Sequence, residues 1–171
     1  LKWTQSSFIQ PQVHTWDHFV FDPVTRQYTI GRYLADLRER YGGIDAVLVW
    51  PTFPQLGMDD RNQWDYLRSV PGGVAGLRAM VASFHAEGVK VLMPYNPWDT
   101  GTRRERCGDA PYPCGGGLQH GELMDDANAM AALLLAIDGD GFNGDTMRLI
   151  PQEFFDAAVA RNHPIAMEPE G

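Results

Sequence analysis

Long apolar runs are missing from this sequence. The longest, Ala129 to Ile137, falls well short of the ~20 residues a helix needs to cross a bilayer, so no membrane partner is expected. Positive charge is also scarce. Fourteen Lys and Arg against 22 Asp and Glu leave a formal charge of −8, the wrong sign for a phosphate backbone, and the basic cluster Arg103, Arg104 and Arg106 does not offset it. Nucleic acid is therefore not an expected partner. The signature of disorder is absent too, since 44% of residues are apolar and only 21% charged. At 171 residues the chain can bury one good core but not two, so a single domain over residues 1–171 is expected.

Cysteine is limited to Cys107 and Cys114, in a Gly/Pro-rich stretch. A bridge between them would fit an oxidising compartment, periplasmic or extracellular, and two free thiols would fit the cytosol; both readings stand. The Gly115-Gly-Gly117 run lacks the Lys-Ser/Thr of a phosphate cradle. The chain opens at Leu1 without an n-region or h-region and stops at Gly171 just after an apolar strand-like segment, so it is expected to be part of something longer.

What is present is an alternation of short apolar runs with amphipathic stretches, the order of β/α units around a parallel sheet. Phe8–Val13 is a first strand, interrupted by Pro11. Ile30, Tyr33, Leu34, Leu37 and Tyr41 share a helical face that Gly42-Gly43 ends, and Ala46–Trp50 is the second strand. Val74, Leu77, Val81 and Phe84 form the next buried stripe, Gly88 ends it, and Val89–Met93 is the third strand. A helix over 125–137, with Asp125-Asp126 at its positive end, precedes a glycine-rich fourth strand over 139–144. Pro151 opens the last helix, buried through Phe154, Phe155, Ala158 and Val159, before the fifth strand, Pro164–Glu168. Five strands and four helices make an α/β fold, an incomplete TIM-type (β/α)8 barrel, because eight units need roughly 250 residues.

In such sheets the ligand-binding groups gather on loops after the strands' carboxyl ends. Here the turns after helices are short, whereas the segments 51–71 and 94–123 are long and rich in polar and aromatic residues, as functional loops are. Asp145 ends the fourth strand in Asp140-Gly-Phe-Asn-Gly-Asp145, and Glu168 holds the matching place on the fifth. Neighbouring strands lie ~4.8 Å apart, so these carboxylates can reach the roughly 5–5.5 Å separation of retaining glycosidases, one attacking the anomeric carbon and one protonating the leaving oxygen. Bland roles compete: Asp145 as a turn or cap residue, Glu168 as a solvated chain-end residue, with Glu170 a rival for the acid role. Aromatic faces beside polar groups hold sugar rings, and this makes His14, Trp16, Trp50, Asp60, Tyr95, Asn96, Trp98 and Asp99 the candidate substrate-binding set, with Trp64 and Tyr112 among the strand-end aromatics. The alternative for half of these rings is that they cover the core. His14, Asp17 and His18 would serve a metal-dependent hydrolase, but no further ligand stands at a recognisable spacing, so neither metal nor cofactor is expected.

The segment Pro71 to Pro97, in which His85-x-x-Gly88-x-Lys90 leads into a strand ending in a Pro-containing loop, resembles the third β/α unit of α-galactosidase-like and α-glucosidase-like glycoside hydrolases. Asp140-Gly-Phe-Asn-Gly-Asp145 is similar to their fourth strand, whose terminal Asp is the nucleophile. The resemblance covers roughly residues 44 to 150 and implies a retaining glycosidase barrel, α-linked substrates and Asp145 as nucleophile. The α-galactosidases end their second strand in Asp-Asp-Gly-Trp, whereas here Asp59-Asp60 follow Trp50-Pro-Thr at a distance and without the Gly-Trp. Those families carry the acid/base on a sixth strand; the α-amylase-like clan carries a Glu on the fifth, where Glu168 stands. The implied partner is an oligo- or polysaccharide, with self-association through an open barrel edge. The rival reading from another class is a carbohydrate-binding barrel in which the carboxylates are incidental.

Overall fold

The computed structural model describes residues 1–99, 103 and 123–171; Cys107, Cys114, Tyr112 and the Gly115–Gly117 run lie outside them. In chain order the elements are a 3₁₀ turn (Lys2–Gln5), β1 (Gln12–His14), a hairpin of β2 (Phe21–Asp22) and β3 (Gln27–Tyr28), α1 (Ile30–Tyr41), β4 (Ala46–Trp50), α2 (Gln63–Ser69), α3 (Gly73–Ala86), β5 (Lys90–Tyr95), α4 (Leu123–Ile137), β6 (Gly141–Gly144), α5 (Gln152–Ala160) and β7 (Ala166–Pro169). The sheet runs β1-β4-β5-β6-β7 and every pair in it is parallel. Each consecutive pair is joined through a helix, which is the expected partial (β/α) barrel with five of its strands. No helix among the described residues is long and apolar enough to cross a membrane.

Two elements go beyond the expected set. The 51–71 segment contains α2, whose start is a capping box: the Asn62 side chain accepts from the Asp65 N–H while Asp65 accepts from the Asn62 N–H. The β2–β3 hairpin turns on Asp22, whose Oδ1 accepts from Val24 and Thr25 N–H. Two helical faces need correction. Tyr41 is 61% exposed at the end of α1, and on α5 the buried stripe is Phe154, Ala157 and Ala158, with Phe155 and Val159 outward. At about 100° per residue, Ala157 and Ala158 lie on either side of Phe154 within one arc of roughly 100°, and Phe155 and Val159 fall outside that arc on the side of Ala158. The ladder of β1 is shorter than Phe8–Val13. The lead-in instead runs beside β4, its Phe8 and Ile9 N–H groups donating to Asp45 Oδ2 and its Ile9 and Pro11 carbonyls accepting from β4. Those two N–H groups hold the Asp45 carboxyl below its ordinary range.

Alternation along the strands divides the sheet into two faces. Val13, Val47, Val49, Val91, Met93, Tyr95 and Phe142 pack outward against the helices, where Leu77, Met80, Val81 and Phe84 of α3 are fully buried at roughly 1.5–3 kcal/mol each. Ala46, Leu48, Trp50 and Leu92 face inward with Trp3 from the 3₁₀ turn against them. Register stacks the inward residues in tiers. Leu48, Leu92 and Gly141 share one tier, and Pro94, Asn143 and Glu168 share the next, level with Trp50, two residues on from Leu48.

Gly141 is required by a close approach. A Cβ there would stand 2.4 Å from the Ala166 carbonyl oxygen of β7, a backbone atom that cannot turn aside. The strand is also pinned from below. Asp140 accepts from Lys90 Nζ (2.7 Å) and the Val91 N–H (2.9 Å), and lies 2.6 Å from His85 Nε2. The His85-x-x-Gly88-x-Lys90 lead-in is thus a staple at the amino end of the barrel. Gly88 makes the intervening turn in the left-handed conformation (φ 78°).

Candidate functional site

At the carboxyl ends of the strands, β6 hands the chain to a tight turn. The Asp145 N–H donates to the Tyr95 carbonyl and the Met147 N–H to that of Gly144. Thr146 between them is left-handed (φ 61°), a conformation that costs a β-branched residue on the order of 1–3 kcal/mol. Asp145 therefore stands at the strand tip by construction. Its Oδ2 accepts from Trp98 Nε1 (2.6 Å) and from Asn96 Nδ2 (3.0 Å). Both bonds converge on that one oxygen.

Asn96 can aim at Asp145 because every other polar group it has is occupied. Thr52 Oγ1 donates to its Oδ1 (2.9 Å), and Gln63 grips its backbone from both sides, accepting from the N–H (2.9 Å) and donating to the carbonyl (3.0 Å). Thr52, Gln63 and Asn96 are completely buried. Gln63 opens α2, and its own N–H donates to Asp99 Oδ2 (2.8 Å). Three loops are thereby locked to one carboxylate. The capping box Asn62-x-x-Asp65 was the sequence signal for α2, whereas nothing in the sequence marked Thr52 or Gln63.

Two hollows open on the inner face. One, about 280 Å³, is lined by Asp145 and Glu170 with Gln12, Trp50, Phe53 and Asn143. The other, about 260 Å³, holds Glu168 with Trp3, Gln10 and Leu92. Glu168 accepts from Gln10 Nε2 (2.8 Å) and sits one tier lower than Asp145, because its register partner is Asn143. The next register pair along, Gly144 with Pro169, brings Glu170, not Glu168, level with Asp145. Period-two alternation makes both glutamates face inward, and only the register separates them.

The structure distributes the expected binding residues unevenly. Trp50 lines the Asp145 cavity, while Asn96, itself fully buried, and Trp98, 37% exposed, donate to Asp145 directly. His14 ends β1 with Nδ1 3.3 Å from the Trp50 carbonyl oxygen, and Trp16 is a rim ring packed edge-on against Phe21. Three residues are elsewhere. Tyr95 lies on the helix-facing side, fully buried, its hydroxyl donating to Asp126 (2.7 Å); burial first, then the Asp126 charge, pushes that hydroxyl far above its ordinary range. Asp126 is thus a core acceptor beyond any helix-terminus role. Asp99 is buried beneath α2, and Asp60 is exposed with its carbonyl accepting from the Arg103 N–H. Asp59, beside it, is held by Arg61. His14, Asp17 and His18 are not gathered: Asp17 accepts from the Phe19 N–H, and no three His, Cys, Asp or Glu side chains converge on a metal position among the described residues. Phe53, Gln12 and Asn143 are cavity residues that sequence reasoning missed. Asn143 was within reach of it, two residues before Asp145 on the same face.

No protein-family model matches the chain, and no curated protein sequence matches it. Solved structures do match. The α-amylase from Geobacillus thermoleovorans, solved with acarbose, aligns over 98% of this chain and 47% of its own at 16% identity and a TM-score of 0.56. The chain shares its fold with the glycoside hydrolase barrels. A noncanonic maltogenic α-amylase from Thermotoga neapolitana aligns over 96% of this chain and 46% of its own (17% identity, TM-score 0.57). A GH27 β-L-arabinopyranosidase from Geobacillus stearothermophilus, solved with arabinose, aligns over 99% and 50% (14% identity, TM-score 0.52). The chain spans about half the length of these proteins.

Proposed function

We propose that residues 1–171 are a single domain, the amino-terminal part of a retaining glycosidase barrel that cleaves α-linked O-glycosidic bonds of an oligo- or polysaccharide, with Asp145 as the nucleophile. One observation carries the reading: Asp145 stands at a strand tip with one oxygen held by two N–H donors, beside a cavity walled by indole, phenyl and amide groups. Donors on Oδ2 fix the orientation of the carboxylate, so that Oδ1 can form the glycosyl ester. Glu170 is the acid/base residue this reading favours over Glu168. It shares the cavity, and adjacent parallel strands hold such carboxylates near the spacing a covalent intermediate needs. Acarbose on one structural neighbour and arabinose on another support a carbohydrate ligand.

The test is covalent trapping in the full-length enzyme. Activated 2-deoxy-2-fluoro-glycosyl fluorides of several configurations are incubated with it, and the labelled peptide is located by mass spectrometry. Label on Asp145 is expected, together with a loss of turnover of at least about a thousandfold in Asp145→Ala. Glu170→Gln should slow substrates with poor leaving groups far more than activated aryl glycosides. Wild-type turnover in Asp145→Ala would end the reading.

A further inference from the structure

Arg103 is tied to the chain entering α2 through its backbone and its side chain alike. Its N–H donates to the Asp60 carbonyl (2.6 Å) and its carbonyl accepts from Asn62 Nδ2 (2.7 Å). Its guanidinium meets both oxygens of Asp65, Nη2 donating to Oδ1 and Nε to Oδ2 (3.2 Å). An arginine on a surface usually adds little, because ordering a long side chain offsets the attraction. Here the backbone is already held beside Asp65, so the planar fork closes on the carboxylate with less freedom left to lose.

What the clasp holds leads to the site. Helix α2 covers only Gln63–Ser69, and a helix that short does not stand by itself in water. Its first turn is therefore placed by whatever binds it. On the outer side Asn62 and Asp65 form the capping box and bond to Arg103. On the inner side Gln63, next in the chain to Asn62, donates its N–H to Asp99 (2.8 Å) and grips the Asn96 N–H and carbonyl (2.9 and 3.0 Å). Asn96 donates in turn to Asp145 (3.0 Å). Every link from the guanidinium to Asp145 is thus a hydrogen bond or a stretch of shared backbone. Asn62, Gln63 and Asn96 are completely buried, and in close packing a shift of one is passed to the next. Only the outer end is wet, with the side chain of Arg103 46% and that of Asp65 19% exposed. Asp65 keeps its capping bonds and Arg68 at 3.7 Å without Arg103, so what Arg103 adds is the seat of the helix rather than the helix.

We propose that Arg103 is a positioning residue for Asp145: its clasp on Asp60, Asn62 and Asp65 sets the seat from which Gln63 and Asn96 hold the Asp145 carboxylate. Because the clasp is a half-exposed ion pair, it also makes turnover sensitive to ionic strength. The inference rests on the glycosidase reading of Asp145 and assigns a remote residue that tunes it.

The experiment compares the full-length enzyme with Arg103→Met and Arg103→Lys. Methionine keeps an unbranched stem and both backbone bonds without the guanidinium, and lysine restores the charge without the fork. Amide exchange is followed at Asn96 and, as a control at the far end of β5, at Val91. Hydrolysis is followed on 4-nitrophenyl α-D-glucoside, α-D-galactoside and β-L-arabinopyranoside. In Arg103→Met the Asn96 N–H should exchange at least about threefold faster with Val91 unchanged. Its kcat should fall by about three- to tenfold with KM within about twofold, the size an exposed pair can supply. Arg103→Lys should recover part of both effects. At about 1 M NaCl, where the screening length is about 3 Å, the kcat of the parent should fall toward that of Arg103→Met, whose own kcat stays flat. Unchanged Asn96 exchange in Arg103→Met, a lower melting temperature with unchanged kcat, or an equal salt response in parent and variant would each overturn the inference. Covalent label on Asp145 with a kcat indifferent to Arg103 would overturn the positioning role alone. Looser Asn96 with no label on Asp145 and no hydrolysis of any of the three glycosides would overturn the glycosidase reading and leave the clasp standing.

Discussion

Gln63→Glu tests whether the clamp on Asn96 is one of the constraints that hold the site together. The substitution preserves shape and changes one property: an ionised carboxylate still accepts from the Asn96 N–H but presents an oxygen to the Asn96 carbonyl, where the amide now donates at 3.0 Å. The side chain is completely buried, and the Asp99 carboxylate that holds the Gln63 N–H at 2.8 Å adds like charge nearby. Both effects favour the protonated form, which restores both hydrogen bonds. For a fully buried carboxyl with a like-charged neighbour, a rise of about 2–3 units above the ordinary glutamate value is a moderate expectation. At about 1.4 kcal/mol per unit the variant loses about 3–4 kcal/mol at pH 7. A raised native-state pKa means that the penalty is absent below the unfolded-state value, near 4.3, and grows as pH rises from there to the native-state value. Thermal melts of variant and parent at pH 4 and pH 7 should therefore give a melting-temperature difference that is larger at pH 7 by roughly 6–15 °C for a domain of this size. An equal difference at both pH values would refute the reasoning, because a merely misfitting side chain has no reason to be relieved by acid.

Gly141→Ala should destabilise by roughly 1–3 kcal/mol or more, since relief of the 2.4 Å contact requires β6 and β7 to separate; a chemical melt indistinguishable in stability from the parent would contradict it. Asp45→Ala should free the Phe8–Pro11 lead-in, read as faster amide exchange of Phe8 and Ile9. In the parent the same release should appear only on acidification: a carboxyl held below its ordinary range stabilises above about pH 4 and ceases to as pH falls through its depressed value. Trp98→Phe removes one of two donors to Asp145 and should lower kcat by about ten- to a hundredfold with little change in KM; a pure KM effect would make Trp98 only a binding surface. The outer edge of β7 pairs with no strand among the described residues, so the chain expressed alone should associate with itself, and a strictly monomeric sedimentation profile up to high concentration would argue otherwise.

Periodicity carried the barrel. Strand β4 was legible to the residue, and α3 came out on the expected face, because their apolar spacing is dictated by the core and nothing local competes. Misreadings arose where a local rule yielded to a tertiary one. Tyr95 reads as a strand-end aromatic, but strand parity turns it into the helix layer, where Asp126 satisfies its hydroxyl. Phe155 and Val159 read as buried by composition alone, and the neighbouring α4 admits only one side of α5. At the site, Asp145, Trp98 and Asn96 were visible because carboxylates and aromatics at strand ends are chemically conspicuous. Glu168 and Glu170 could not be ranked from the sequence, since two residues of the same type and parity differ only by pairing register. Gln63 and Thr52 were invisible for another reason: their importance lies in what they hold, across 33 and 44 residues of chain.

The clasp of His85, Lys90 and the Val91 amide on Asp140 sits at the opposite end of β6 from Asp145. Five residues of extended chain separate the two aspartates, roughly 16 Å, yet the clasp decides the phase of everything above it. In a strand, phase is binary. Were β6 to slip by one residue, Phe142 would swing into the cavity that Asp145 lines, and Asp145 would turn toward the aromatic wall of Tyr95 and Phe154, with no atom of the cavity mutated. Loss of the clasp would therefore show itself as a mixture of competent and inert molecules, so that active-site titration falls while the turnover of each competent molecule stays constant.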